Sequence, residues 1–129
     1  MASITMQIPI AADVDTVWAA VRDVGHPHHL FAGVLTDAHL DGDARVVTFA
    51  NGMTVREQIV DLDDKARRFA YSVVDGPFDH HHASFAVRAE PDGSSTLTWI
   101  TDLLPDEVAP MVEGLMHQGA AAAQATLGC

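Results

Sequence analysis

Residues 78–87, FDHHHASFAV, set three histidines in succession inside the chain. An imidazole titrates near pH 6.5 when unperturbed, so each could act as base, hydrogen-bond donor or metal ligand at neutral pH. Upstream, MTVREQI carries a glutamate. Strand alternation puts Met53, Val55, Glu57 and Ile59 on one face and Thr54, Arg56 and Gln58 on the other. A buried unpaired carboxylate is costly, so Glu57 needs a partner, water or a ligand. A surface arginine or a bulge could satisfy it structurally; a pocket could use it as a base. Between these segments RFAYSVV turns Phe69, Tyr71 and Val73 to one side. Tyr71 brings a phenol into an apolar stripe, as core or as pocket lining, and a buried hydroxyl usually finds a partner.

Other chemistries have little support. His80 and His82 share a strand face and could chelate, and HPHHL offers His26, His28 and His29. No Asp or Glu accompanies them in a recognised ligand spacing, and a metal-bound imidazole normally needs a group behind it to orient it. Adventitious capture of nickel or zinc is expected there rather than a resident metal, and no cofactor is expected. His39 and His117 read as exposed. There is no GxSxG, P-loop or Rossmann glycine set, so the glycines mark turns. The single cysteine, Cys129, can form no internal disulfide and cannot build a multi-cysteine zinc site.

The whole chain narrows the partners. At 129 residues it is expected to form one domain, 1–129. Lys plus Arg number 7 against 18 Asp plus Glu, a net charge of −11. Such a surface repels phosphate backbones and anionic lipid, which makes nucleic acid and membranes poor partners. No apolar run approaches the ~20 residues of a membrane span, and no basic-then-apolar leader opens the sequence. The expectation is a soluble cytoplasmic domain, monomer or homodimer, with a small molecule as partner.

The elements that would position these residues follow from periodicity. Ser3 to Ile10 alternates as a half-buried strand. AADVDTVWAAVRDVG spaces Val14, Val17, Trp18 and Val21 as a helix that Gly25 stops, and HPHHLFAG reads as a second, short helix begun by Pro27. Short segments divided by turn signals then run to Pro105: Val34–Leu40, ARVVTFA, MTVREQIVDLD, RFAYSVV, HHHASFAVRAE and STLTWITDLL. Val47 and Phe49, with Leu97, Trp99 and Thr101, should line the same side as Glu57 and Tyr71. Trp99 and Trp18 read as packing residues first. From about 106 to 126 the period turns helical, with Val108, Met111, Val112, Leu115, Gly119, Ala122 and Thr126 in one stripe. Hairpin-linked strands with helices set apart indicate an α+β domain on one antiparallel sheet.

This order, with VWAAVRDVG, NGMTVREQIVDLDDKARRFAYSVVDGP and STLTWITDLLP, resembles the Bet v 1-like helix-grip superfamily, also called START-like or SRPBCC. The nearest flavour is the small bacterial polyketide cyclase/dehydrase group; the middle stretch is also similar to the plant abscisic-acid receptors. The resemblance implies a helix-grip fold: a curved sheet of about seven strands around a long C-terminal helix, enclosing a cavity for a hydrophobic molecule. It implies that Glu57 matches a glutamate in the receptors' ligand pocket. It also sets His82 and Ser84 near ligand-facing positions, and makes Ala50–Met53 and Val74–Asp79 the loops framing the entrance.

Alternation disagrees over the histidines, because Ala83, Phe85 and Val87 form the more apolar face and would carry His81 inward. A bulge near Ala83 would reconcile the two; on that basis His82 is expected inward, His80 at the rim and His81 in solvent. The expected site is therefore Glu57, His82 and Tyr71 as acid–base groups, with Val47, Phe49, Val55, Val73, Ser84, Trp99, Met111 and Leu115 against the substrate. A cyclase or dehydratase acting on a polyketide-like or aromatic substrate and a non-catalytic carrier or sensor would use the same residues, and the sequence leaves both open.

Overall fold

The computed structural model describes residues 2–128; the role of Cys129, open in the sequence, lies outside them. The chain runs β1 (Ala2–Ile10), α1 (Val14–Arg22), α2 (Pro27–Leu30), β2 (Leu35–Asp41), β3 (Ala44–Phe49), β4 (Thr54–Asp63), β5 (Arg68–Val73), β6 (His80–Ala89), β7 (Ser95–Leu104), a 3-10 turn at Asp106–Val108, and α3 (Ala109–Leu127). All seven strands form one antiparallel sheet in the order β1-β7-β6-β5-β4-β3-β2. The helix-grip expectation is met.

Local sequence explains the elements. Asp13 caps α1 by accepting the Thr16 N–H at 2.8 Å, and Val17, Trp18 and Val21 bury one face of that helix. Its outer end is pinned through Asp64, which accepts from Trp18 Nε1 at 2.9 Å and from Arg22 Nε at 2.6 Å. β4 slips register against β5 between Ile59 and Asp61, and β2 slips against β3 between Leu35 and Asp37. Such irregularities bend a sheet and deepen its twist, which is what wrapping a helix requires. Gly52 turns the β3–β4 connection at φ +87, a backbone shape that side chains disfavour.

α3 starts later than its pattern suggests. It buries Val112, Met116, Gly119 and Ala123 rather than the stripe through Met111, Ala122 and Thr126. Val112 and Gly119 are common to both stripes, Val108 and Leu115 are half-buried, and Met111 is 46% exposed. In so Ala-rich a helix neighbouring faces are almost equally apolar, so composition leaves its rotation undetermined. Contact with the sheet settles it. A Cβ on Gly119 would stand 2.9 Å from the Trp99 ring, so only glycine lets the helix backbone down onto that indole.

Candidate functional site

Between α3 and the concave face of the sheet lies a cavity of about 190 Å³, open at one end. Its wall draws on all the strands but β1 and on α3, together with the segment between α2 and β2. Most of it is apolar: Phe49, Val55, Val73, Phe85, Trp99, Leu115 and Met116. Met53 and Met111, both partly exposed, belong to the open end. Asp75, Gly76, Pro77 and Phe78, from the loop between β5 and β6, also contribute to the wall. That loop is tied to β4 by the Arg56 N–H donating to Asp75 Oδ1 at 2.9 Å.

The polar residues gather along one stretch of wall. Arg45 on β3 faces Glu57 on β4 across the ladder, and its Nε donates to Glu57 Oε1 at 2.8 Å. Both residues are buried, at 4% and 8% exposure. The guanidinium also reaches the Val24 carbonyl at 3.3 Å and lies over the rings of Phe69 and Tyr71, 5.0 and 5.3 Å from their centroids. Cation–π contact of this kind supports a charge removed from water. Glu57 Oε2 has no protein partner among the described residues.

Tyr71 stands next to this pair. Burial pushes its phenol well above the usual tyrosine range, and the Glu57 carboxylate adds to that rise; Arg45 and the Trp99 indole N–H act weakly the other way. Tyr71 therefore keeps its proton at neutral pH. Trp99 Nε1 is buried and completes no hydrogen bond. A buried N–H left in that state costs about 1–3 kcal/mol.

His81, not His82, completes the stretch. β6 pairs with β7 without interruption from His80↔Leu104 to Ala89↔Ser95, so there is no bulge near Ala83 and the pleat turns His81, Ala83, Phe85 and Val87 inward together. His81 is buried against Phe78 (ring centroids 4.8 Å apart) and Tyr71 (5.9 Å). Its Nδ1 accepts the Val73 N–H at 3.0 Å, which fixes the proton of the neutral ring on Nε2. Burial first, then the neighbouring His82 and His80, bring its pKa down to about 4.

The expected site residues thus divide. Glu57, Tyr71, Phe49, Val55, Val73, Trp99, Met111 and Leu115 line the cavity. Three do not. His82 lies on the opposite face of β6, across from Asp102, where the uninterrupted register puts it. Ser84 is buried but has the same parity as His82 and so turns away from the cavity. Val47 is buried in the core and does not reach the void. The residues missed are Arg45 and His81. Arg45 was within reach, since it shares a strand face with Val47 and Phe49, and a hairpin turning at Asn51–Gly52 sets it against Glu57.

Of the metal alternatives, no group of three His, Cys, Asp or Glu side chains among the described residues could hold an ion. His26, His28 and His29 cluster with ring centroids 4.5–5.9 Å apart, His26 stacked on His29 and His28 tilted against both.

Over residues 1–128 the sequence matches the family described as polyketide cyclase / dehydrase and lipid transport. The chain belongs to that family. No protein of curated function matches it. Solved structures share the fold of this cyclase/dehydrase family member. XoxI from Bacillus cereus is 22% identical with a TM-score of 0.86, over 98% of this chain and 96% of that one. A Bacillus thuringiensis protein is 22% identical with a TM-score of 0.85, over 98% of both chains. Truncated norcoclaurine synthase from Thalictrum flavum is 19% identical with a TM-score of 0.77, over 98% of this chain and 93% of that one. At these identities the likeness concerns the fold alone. Among the described residues no helix is long and apolar enough to cross a membrane.

Proposed function

We propose that the protein binds a small, mostly apolar molecule of polyketide-like or aromatic type in this cavity and acts on it by acid–base chemistry, as a cyclase or dehydratase. One observation carries the reading: a carboxylate, a protonated phenol and a neutral imidazole converge on the wall of an otherwise apolar cavity. In this scheme Glu57 Oε2 takes an acidic proton from the carbon next to a carbonyl. Tyr71 O–H and His81 Nε2–H hold the resulting enolate oxygen. The enolate carbon attacks a second carbonyl of the same chain, the Glu57 carboxyl returns its proton to the new alkoxide, and Glu57 then takes a further proton from the same carbon and passes it to the departing hydroxyl, which leaves as water. Folding the flexible substrate against the apolar wall supplies much of the rate by proximity. Arg45 holds Glu57 in place. The family description and the synthase among the structural relatives support this reading, and the net charge of −11 supports a small molecule as partner over nucleic acid.

A carrier or sensor is the second reading, favoured by the closed Arg45–Glu57 pair, which commits one carboxylate oxygen to the protein itself. A panel of aromatic and linear poly-carbonyl compounds tests both, with binding followed by calorimetry and conversion by mass spectrometry. The enzyme reading expects conversion of at least one bound compound, lost by 10²-fold or more in Glu57→Gln with binding retained. Binding across the panel with no conversion would leave the carrier, and no binding at all would remove both.

A further inference from the structure

On the β7 side of the cavity one polar side chain stands apart from the stretch that holds Glu57, Tyr71 and His81. Thr101 lines the void and is 1% exposed, yet its hydroxyl bonds to no group among the described residues. Its surroundings explain why. The pleat sets Thr101 between Trp99 and Leu103 on its own strand, and the residues opposite it on the flanking strands are Ile4 and Ala83. None of these four side chains is an acceptor, and the indole N–H, the one donor among them, completes no bond. Val112 and Met116 of α3 pack with Leu103 and Ile4 and extend the apolar surroundings.

Such a place suits valine, which has the shape of threonine and nothing polar to desolvate. A buried hydroxyl left unpaired is a net cost to the fold. The partner it lacks in the protein is one that an occupant of the void can supply.

The oxygen it would bond is not the one at the reacting end. In the scheme above Tyr71 O–H and His81 Nε2–H hold one ligand oxygen, and a carbonyl oxygen accepts two such bonds. Thr101 and Tyr71 each stand opposite Ala83, from β7 and from β5, so their backbones lie two strand spacings, about 9–10 Å, apart. Charge narrows the class further. The lining residues from β6, β7 and α3 include no Asp, Glu, Lys or Arg, so an ionised group at Thr101 would find no counter-charge.

Resting on the reading that the cavity takes a small apolar molecule, we propose that Thr101 is a specificity-determining residue whose hydroxyl bonds a second, uncharged oxygen of the ligand. The molecule taken up then carries a hydroxyl or carbonyl remote from its reacting carbonyl. A threonine hydroxyl both donates and accepts, so it serves either group.

The test uses 2-acetylnaphthalenes that bear a hydroxyl, or a methyl in its place, at ring position 6 or 7. Each is titrated by calorimetry into the native protein, Thr101→Val and Thr101→Ser. In at least one of the two pairs Thr101→Val should cut the preference for hydroxyl over methyl by about tenfold, the worth of one well-made hydrogen bond, while affinity for the methyl compound stays within about twofold. Thr101→Ser keeps the hydroxyl and should hold the preference within about threefold of native. Without ligand, Thr101→Val should melt no lower than the native protein, since valine removes an unpaired hydroxyl. An unchanged preference in both pairs, an equal loss of hydroxyl and methyl compounds, or a lower melting temperature for Thr101→Val overturns the proposal and leaves the cavity reading standing. Binding of none of the compounds to the native protein overturns both.

Discussion

Arg45 and Glu57 stand directly opposite each other on adjacent strands and close a buried ion pair, Nε to Oε1 at 2.8 Å, beneath the Phe69 and Tyr71 rings. Removing one member leaves the other charged and out of water. Arg45→Met or Glu57→Leu alone should therefore destabilise the fold by about 3–5 kcal/mol, whereas the double replacement should recover most of the loss. Urea denaturation of the four proteins completes the cycle. Two additive single losses would mean that the pair is not a unit.

His81 makes stability depend on pH in a defined window. Its folded pKa, about 4, lies below the 6.5 of the unfolded chain. Between those values the unfolded state binds the extra proton, so stability is fully present above pH 6.5 and is lost as pH falls toward 4. His81→Gln keeps an acceptor for the Val73 N–H but does not titrate. Across this window the native protein should lose up to about 1.4 kcal/mol per pH unit more than the variant. Parallel stability–pH curves for the two would count against a neutral, buried His81.

The three successive histidines should be functionally unequal. His81→Ala removes a cavity donor and strands the Val73 N–H, while His82→Ala changes the outward face opposite Asp102. At equal folded fraction His81→Ala should weaken binding of a carbonyl ligand by roughly tenfold and His82→Ala by less than about twofold. Titration of both variants with 2-acetylnaphthalene decides it; a larger effect from His82→Ala would reverse the assignment.

Two glycines on α3 should respond with opposite signs. A Cβ at Gly119 meets Trp99 at 2.9 Å, while one at Gly114 meets nothing within 4 Å. Gly119→Ala should cost about 1–3 kcal/mol by overpacking. Gly114→Ala should stabilise by up to about 1 kcal/mol through helix propensity. Thermal melts of the two variants check the contrast.

The strand alternation carried Glu57, Tyr71, Val73 and Trp99 to the correct face, because a period of two leaves little freedom once one side is buried. It also carried His81 there. The inward assignment of His82 needed a bulge in β6, and β6 pairs without one. Arg45 went unremarked because a charged residue beside a turn reads as solvent-exposed, although its parity with Val47 and Phe49 and its register with Glu57 were both present in the sequence. The rotation of α3 was legible only in part: Val112 and Gly119 were placed on the buried face, Met116 and Ala123 were not. It depends on a single glycine meeting a single indole, a contact that no periodicity encodes. The withdrawal of Val47 from the cavity was not legible, since strand parity gives it the same face as Arg45 and Phe49, which do line it.

The strand order has a consequence for how the chain can be made. β1, the first strand synthesised, has one neighbour, and that neighbour is β7, the last; Ile10 pairs with Ser95 and Ala2 with Leu103. Strands β2 to β6, by contrast, join through successive short hairpins and can assemble as they emerge. Joining distant segments is the slow step in folding antiparallel sheets. On the ribosome the opening segment must therefore wait, its apolar Ile4, Ile8 and Ile10 uncovered, until the seventh strand arrives. During that interval the nascent chain is exposed to wrong pairing at the β6 edge that β7 will later cover, so the arrival of β7 rather than local structure sets when this sheet can close.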